Sequence, residues 1–162
     1  MERFAGTIEP FAEVSVADLV AWITAIPFDA WPQQAPSATG ALRPAMVNDP
    51  AWMDFGKATD PLVHTLLDGW FPGCADDNRM LSVVMPGDFI PSHADQQAAS
   101  WRCRVHVPLT TNDAAWFAYD DDAHRLRVGV AYRVNTEAPH AIRNAGESPR
   151  IHMMFDVHEG AC

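Results

Sequence analysis

Residues 82–104 read SVVMPGDFIPSHADQQAASWRCR. Segments that alternate like strands stand on either side of a Pro-Gly-Asp turn, and one of them ends in a His-x-Asp pair, His93 and Asp95. Side chains two apart on a strand point to the same side, so these two can offer an imidazole nitrogen and a carboxylate oxygen to one metal ion. Two ligands do not complete a site. A third is expected from His140 in the later run APHAIRN, with Arg150 following ten residues on at the head of RIHMMFDV.

Outward from this stretch the strand pattern continues. From Met80 onward RMLSVVM, DFIPSH, SWRCRVHVPL, AAWFAY, HRLRVGV, YRVN, HAIRN and RIHMMFDV read as about eight short strands, separated by the turn clusters PGD, TTND, DDDA and NAGESP. The spacing predicts a mainly β fold, a double-stranded β-helix of the jelly-roll, cupin-like kind, with N-terminal helices packed on one sheet. Alternation then puts Arg102, Arg104 and His106 on one face and Cys103, Val105 and Val107 on the other. Asp120 to Asp122 reads as a hairpin turn.

Upstream, residues 1–14 read as an extended lead-in with a strand at FAGTI. Ser15 is expected to cap a helix over VADLVAWITAI, ended by Pro27, and a long irregular segment spans residues 27–59, including Trp31. A second helix is expected to begin at Asp60-Pro61 and to run through LVHTLLDGW, with His64 on its surface. At 162 residues the chain fits one domain, residues 1–79 forming a helical and loop region and residues 80–158 the β core.

Charge and cysteine content narrow the partners. With 21 acidic against 11 basic residues and a net charge of -10, a surface that tracks nucleic-acid phosphates is not expected. Three cysteines, Cys74, Cys103 and Cys162, share no CxxC spacing and suit a reducing compartment. No run approaches the roughly 18 apolar residues that cross a bilayer, and the start lacks a secretory pattern, so a cytoplasmic protein without a membrane partner is expected.

Two histidines and a carboxylate on one face of an ion, the other face open, suit a redox-active ferrous ion. Arg150 opens a largely apolar strand, where an unpaired guanidinium is costly. Its anion is either Asp88, Glu147 or Asp156 of the chain or a carboxylate of a dicarboxylic cosubstrate. Arg104 and His106 can add donors, and Ser82 a hydroxyl. Trp101, Trp116, Phe117 and the loop of Trp31 are candidate walls of a dry substrate pocket. Arg102 and Arg143 are the remaining basic groups expected near its mouth, there either to meet an acidic substrate or to stand as solvated surface arginines.

Ser82 to Gly87 as S-x-x-x-P-G, His93, the RCRVHVPL block, PHAIRN and R-I-H-x-x-F-D-V together resemble the aspartyl/asparaginyl β-hydroxylase branch of the Fe(II)/2-oxoglutarate-dependent oxygenases. The resemblance covers residues 80–158. It implies that His93 and His140 bind iron and that Ser82, Arg104, His106 and Arg150 hold 2-oxoglutarate. Asp95 departs from the best-known vertebrate pattern, which has glycine there, and is similar to related bacterial amino-acid hydroxylases that keep the carboxylate. The implied activity is hydroxylation of an unactivated C–H bond in an amino acid or in a residue of a peptide, using Fe(II), 2-oxoglutarate and O2. The alternatives are a cupin-like metalloenzyme that does not use 2-oxoglutarate and a non-catalytic ligand-binding member of the fold.

Overall fold

The computed structural model describes residues 1–27, 30, 41–42 and 50–160. Trp31, Cys162 and most of the irregular segment expected after Pro27 lie outside the described residues. Two antiparallel sheets face each other. Strands β1 (Ile8–Glu13), β2 (Ala41–Leu42), β3 (Cys74–Val84), β5 (Trp101–Thr110), β8 (Val130–Val134) and β10 (Arg150–Glu159) form the larger sheet, in the order β1-β8-β5-β10-β3-β2. The smaller sheet holds β4 (Phe89–His93), β6 (Ala115–Tyr119), β7 (Asp122–His124) and β9 (His140–Asn144), in the order β4-β9-β6-β7. The mainly β, jelly-roll architecture expected from the strand spacing is what the chain adopts.

The period-two pattern of the two central strands divides the interior into two compartments. From β5, Cys103, Val105, Val107 and Leu109, and from β10, Met153, Phe155 and Val157, share a buried apolar core with Leu19 and Ile23 of α1 (Ala17–Thr24) and Val63, Leu66 and Leu67 of α2 (Phe55–Trp70). Each such side chain contributes about 1.5–3 kcal/mol through burial. The opposite faces of the same strands carry Arg104, His106, His152, Met154 and Asp156. Pairing sets His106 beside Met154 and Arg104 beside Asp156, in antiparallel register. A second apolar cluster, including Val84, Ile90, Phe117, Val134 and Ile142, joins the two sheets. The polar face therefore lies between the sheets, where most of its groups need partners.

Helix and strand limits differ from the sequence expectations in four places. α1 starts after Val16 and Ser15 supplies no cap; its N-cap makes no side-chain hydrogen bond. α2 begins at Phe55 and carries Pro61 inside it, because burial of Trp52, Phe55 and Thr59 fixes the earlier turn and Thr59 Oγ1 donates back to the Phe55 carbonyl at 2.9 Å. The first strand runs over Ile8–Glu13 rather than FAGTI, where it pairs with β8. HRLRVGV is no single strand: β7 ends at His124, and Gly129 turns the chain with φ +74° before β8. The DDD run forms the β6–β7 hairpin turn, with Asp120 at φ 45°. His64 is exposed on α2.

Candidate active site

His93 and His140 are direct cross-strand partners on β4 and β9, and their ring centroids stand 4.3 Å apart. Each ring is fixed in the same way. Nδ1 of His93 lies 2.8 Å from the Pro91 carbonyl and Nδ1 of His140 lies 2.9 Å from the Ala138 carbonyl. A carbonyl accepts only, so both Nδ1 atoms carry the proton and both Nε2 atoms present a lone pair. An acceptor two residues upstream that fixes the tautomer is the usual support of a metal-binding imidazole.

Asp95 is not on the strand with His93, as expected, but two residues past its end. Its backbone N–H donates to the Thr136 carbonyl at 2.7 Å, which curls the segment back over the pair. Oδ1 of Asp95 reaches 4.0 Å from Nε2 of His93. Two ligands on one face of an ion, each bound at about 2.0–2.2 Å, stand about 3 Å apart, so this pair has to draw about 1 Å closer to share one. Oδ2 accepts from Arg104 Nη1 at 2.5 Å. Among the described residues, no three His, Cys, Asp or Glu side chains are drawn tightly around one point. His93, Asp95 and His140 are neighbours, and two imidazoles with a carboxylate are a donor set that suits a divalent ion. Burial lowers the pKa of His140, opposed by the hydrogen bond to the Ala138 carbonyl. The ring is therefore held neutral, as a ligand must be.

All three line one cavity of about 190 Å³ between the sheets. Its floor is Met80, Met154, Ile142 and Phe117, with the Phe117 ring stacked on His140 at 5.2 Å and 4°. Its wall includes Ser82, Arg104 and His106, and Asn78, Gln96, Gln97 and Thr136 complete the lining. His106 is 2% exposed, and neither ring nitrogen has a hydrogen-bond partner among the described residues. Burial first, then the charges of Arg150 and Arg104, hold its pKa well below the ordinary value.

Behind Ser82 lies Arg150, 1% exposed. Its Nη1 donates to Ser82 Oγ at 3.1 Å and its Nη2 donates to Nδ1 of His152 at 2.9 Å. Both partners are neutral. None of Asp88, Glu147 and Asp156 pairs with it; Asp156 is taken by Arg104, through Nε–Oδ1 and Nη2–Oδ2 contacts of 2.8 Å each. Burial alone pushes the Arg150 pKa down to about 9, so the guanidinium is still charged at neutral pH. Burial pushes Asp156 up, but the Arg104 guanidinium, with Asn78 and Trp101, overcomes it and holds the carboxyl below its ordinary range.

The residues expected at the substrate mouth are elsewhere. Trp101 is fully buried and its indole donates to Asp156 Oδ1 at 3.1 Å; it supports an ion pair and does not line the cavity that holds His93 and His140. Arg102 is turned to Glu159 and to the Ala99 and Trp101 carbonyls. Trp116 and Arg143 lie on the outer face of the smaller sheet, along a shallow groove with Phe89 and Pro91, and Arg125 stacks on the Trp116 ring at 4.1 Å. Their strands put these side chains at odd positions relative to Phe117 and Ile142, which face inward. Of the expected walls, Phe117 lines the cavity. His152, Gln96, Gln97 and Thr136 went unnoticed in the sequence; for His152 the alternation from Arg150 was a usable signal, and for Thr136 there was none.

A family model described as aspartyl/asparaginyl beta-hydroxylase matches residues 52–159, more than half of the chain. No curated protein matches. Among solved structures the chain is similar to a viral collagen prolyl hydroxylase of Paramecium bursaria Chlorella virus-1 in its 2OG complex, with 10% identity over 94% of this chain and 96% of that one and a TM-score of 0.61. It is also similar to a prolyl-4-hydroxylase of Pseudomonas putida, with 19% identity, 97% and 95% coverage and a TM-score of 0.59. A third similar structure is AviO1 of Streptomyces viridochromogenes Tue57, with 13% identity, 96% and 91% coverage and a TM-score of 0.60. At these identities the likeness is one of fold.

Proposed function

The chain belongs to the aspartyl/asparaginyl β-hydroxylase family, and from that premise we propose that it is an Fe(II)- and 2-oxoglutarate-dependent oxygenase that hydroxylates an amino acid or a residue of a peptide. The observation that carries the reading is Arg150: a buried guanidinium whose two partners, Ser82 and His152, are both neutral. Leaving such a charge unmatched is costly, and a bound dicarboxylate repays it. The similar viral hydroxylase, described in a 2OG complex, supports the same choice of ligand.

His93, Asp95 and His140 would hold the ferrous ion, with the Pro91 and Ala138 carbonyls keeping both imidazoles in the ligating tautomer. When bound, iron supplies the redox chemistry by which O2 and 2-oxoglutarate become CO2 and succinate while one C–H of the substrate becomes C–OH. Arg150 and Ser82 would receive the far carboxylate of the cosubstrate, and His106, with both nitrogens unpaired at the wall, would donate to it. Arg104 was expected on the cosubstrate; its contacts with Asp95 and Asp156 support a different role, fixing the orientation of Asp95. Met80, Met154, Ile142 and Phe117 exclude water from the reacting carbon, and Gln96, Gln97, Asn78 and Thr136 offer amide and hydroxyl groups to the substrate.

Adding 2-oxoglutarate to the anaerobic Fe(II) protein is expected to raise a weak visible absorption band from chelation. Absence of the band with iron bound would favour a metalloenzyme that does not use this cosubstrate.

A further inference from the structure

We propose that His152 is a positioning residue that keeps the charge of Arg150 unspent, so that this site selects a dianionic cosubstrate; the inference rests on the function proposed above.

His152 and Arg150 are two apart on β10 and point to the same side. Both are 1% exposed. A buried arginine needs an acceptor for each outer nitrogen, and the acceptor most often used is a carboxylate, which cancels the charge it binds. Here Nη2 donates to Nδ1 of His152. The lone pair on Nδ1 places the proton of the ring on Nε2, so the imidazole is neutral and accepts without cancelling. Ser82 does the same at Nη1. A guanidinium oriented at both ends by neutral acceptors keeps its full attraction for an incoming carboxylate.

The surroundings protect this state. Among the described residues Nε2 of His152 has no partner, and His106, 5.9 Å away between ring centroids, has none at either nitrogen. Among the described residues, the groups facing His152 are Arg150 and His106, with Pro108 and Ser82 beside it in register. None is acidic. Burial, then the positive charge of Arg150, disfavours protonation of the ring.

The test compares His152→Asn with His152→Asp and His152→Glu. Asparagine offers an uncharged oxygen near the position of Nδ1; aspartate offers the same oxygen with a charge. Binding of 2-oxoglutarate is measured by titration calorimetry on protein loaded with Zn(II), which does not turn over, and melting temperature is measured alongside. The asparagine variant is expected to lose no more than about threefold in affinity. The aspartate variant is expected to lose at least about tenfold, while melting no lower than the asparagine variant, because its carboxylate satisfies Arg150. A purely structural role would give Asp and Asn variants of equal affinity, and that result overturns the proposal. The glutamate variant serves if aspartate fails to fold; failure of both acids to fold, with asparagine folded, also overturns it. If wild-type protein itself binds no 2-oxoglutarate, the proposed function fails instead.

Discussion

Arg104 donates from Nη1 to Oδ2 of Asp95 across 2.5 Å, on the carboxylate whose other oxygen faces His93. The remaining nitrogens of the same guanidinium hold Asp156. One arginine thus joins the larger sheet to the loop that carries a candidate iron ligand. Asp156 anchors it from below, itself held by Trp101 and Asn78.

Arg104→Met should therefore strand Asp156. Breaking a buried pair by removing one partner costs about 3–5 kcal/mol, and urea unfolding is expected to register a loss of that size. The double variant Arg104→Met, Asp156→Leu should recover a large part of it. Both variants should retain iron less well than wild type, since neither orients Asp95.

Arg150→Met should separate stability from function. It removes a buried charge that no acid among the described residues matches, so the melting temperature is expected to stay level or rise. The KM for 2-oxoglutarate is expected to rise at least about thirtyfold, since losing one partner of a buried charged hydrogen bond costs about 2–5 kcal/mol. Steady-state kinetics with a calorimetric melt on the same samples checks both.

Acid should weaken the fold in two windows. His106 and His152 have folded pKa values well below the ordinary 6.5, so the unfolded chain takes up protons that the folded chain refuses. Their contribution is complete above about pH 6.5 and is lost as pH falls, at up to about 1.4 kcal/mol per pH unit for each ring. Asp156, with a lowered folded pKa, contributes above its ordinary value near 3.8 and loses that contribution only in stronger acid. Urea unfolding of metal-free protein between pH 7.5 and 5 should slope accordingly, and His152→Asn should reduce the slope by about one proton.

Trp116→Ala and Arg143→Ala should leave turnover within about twofold, because both side chains lie on the outer face of the smaller sheet, away from the cavity. His93→Ala or His140→Ala should weaken iron retention more than about a hundredfold, since loss of the groups that only orient a ligand already costs about 10–100-fold. Metal content after dialysis, with rates measured on each variant, distinguishes the two pairs.

What could be read from the chain was set by period. Alternation in WRCRVHVPL separated Cys103, Val105 and Val107 from Arg104 and His106 correctly, because β5 is central and buried on both faces. Trp116 and Arg143, expected at the substrate pocket, lie instead on the outer face of the smaller sheet. Their strands are short, and the apolar Trp116 gives no sign that it faces outward under Arg125. Trp101 went wrong for a related reason: a buried tryptophan beside an arginine-rich strand looks like a pocket wall until its indole is seen on Asp156. The start of α2 depended on packing of Phe55 and Trp52, which overrode the Asp-Pro signal. The partner of Arg104 was beyond reach because Asp156 lies 52 residues away and meets it only through strand pairing.

The central claim is that Arg150 grips the far carboxylate of a diacid consumed beside a ferrous ion, and succinate release tests it most directly. Wild-type and Arg150→Met proteins would be incubated with Fe(II), O2 and 2-oxoglutarate across a panel of amino acids and peptides. The expected result is substrate-stimulated succinate formation by the wild type, with at least a thirtyfold higher KM for 2-oxoglutarate in the variant. Succinate formation with the same KM in both proteins, or none from the iron-loaded wild type with any substrate, would contradict it.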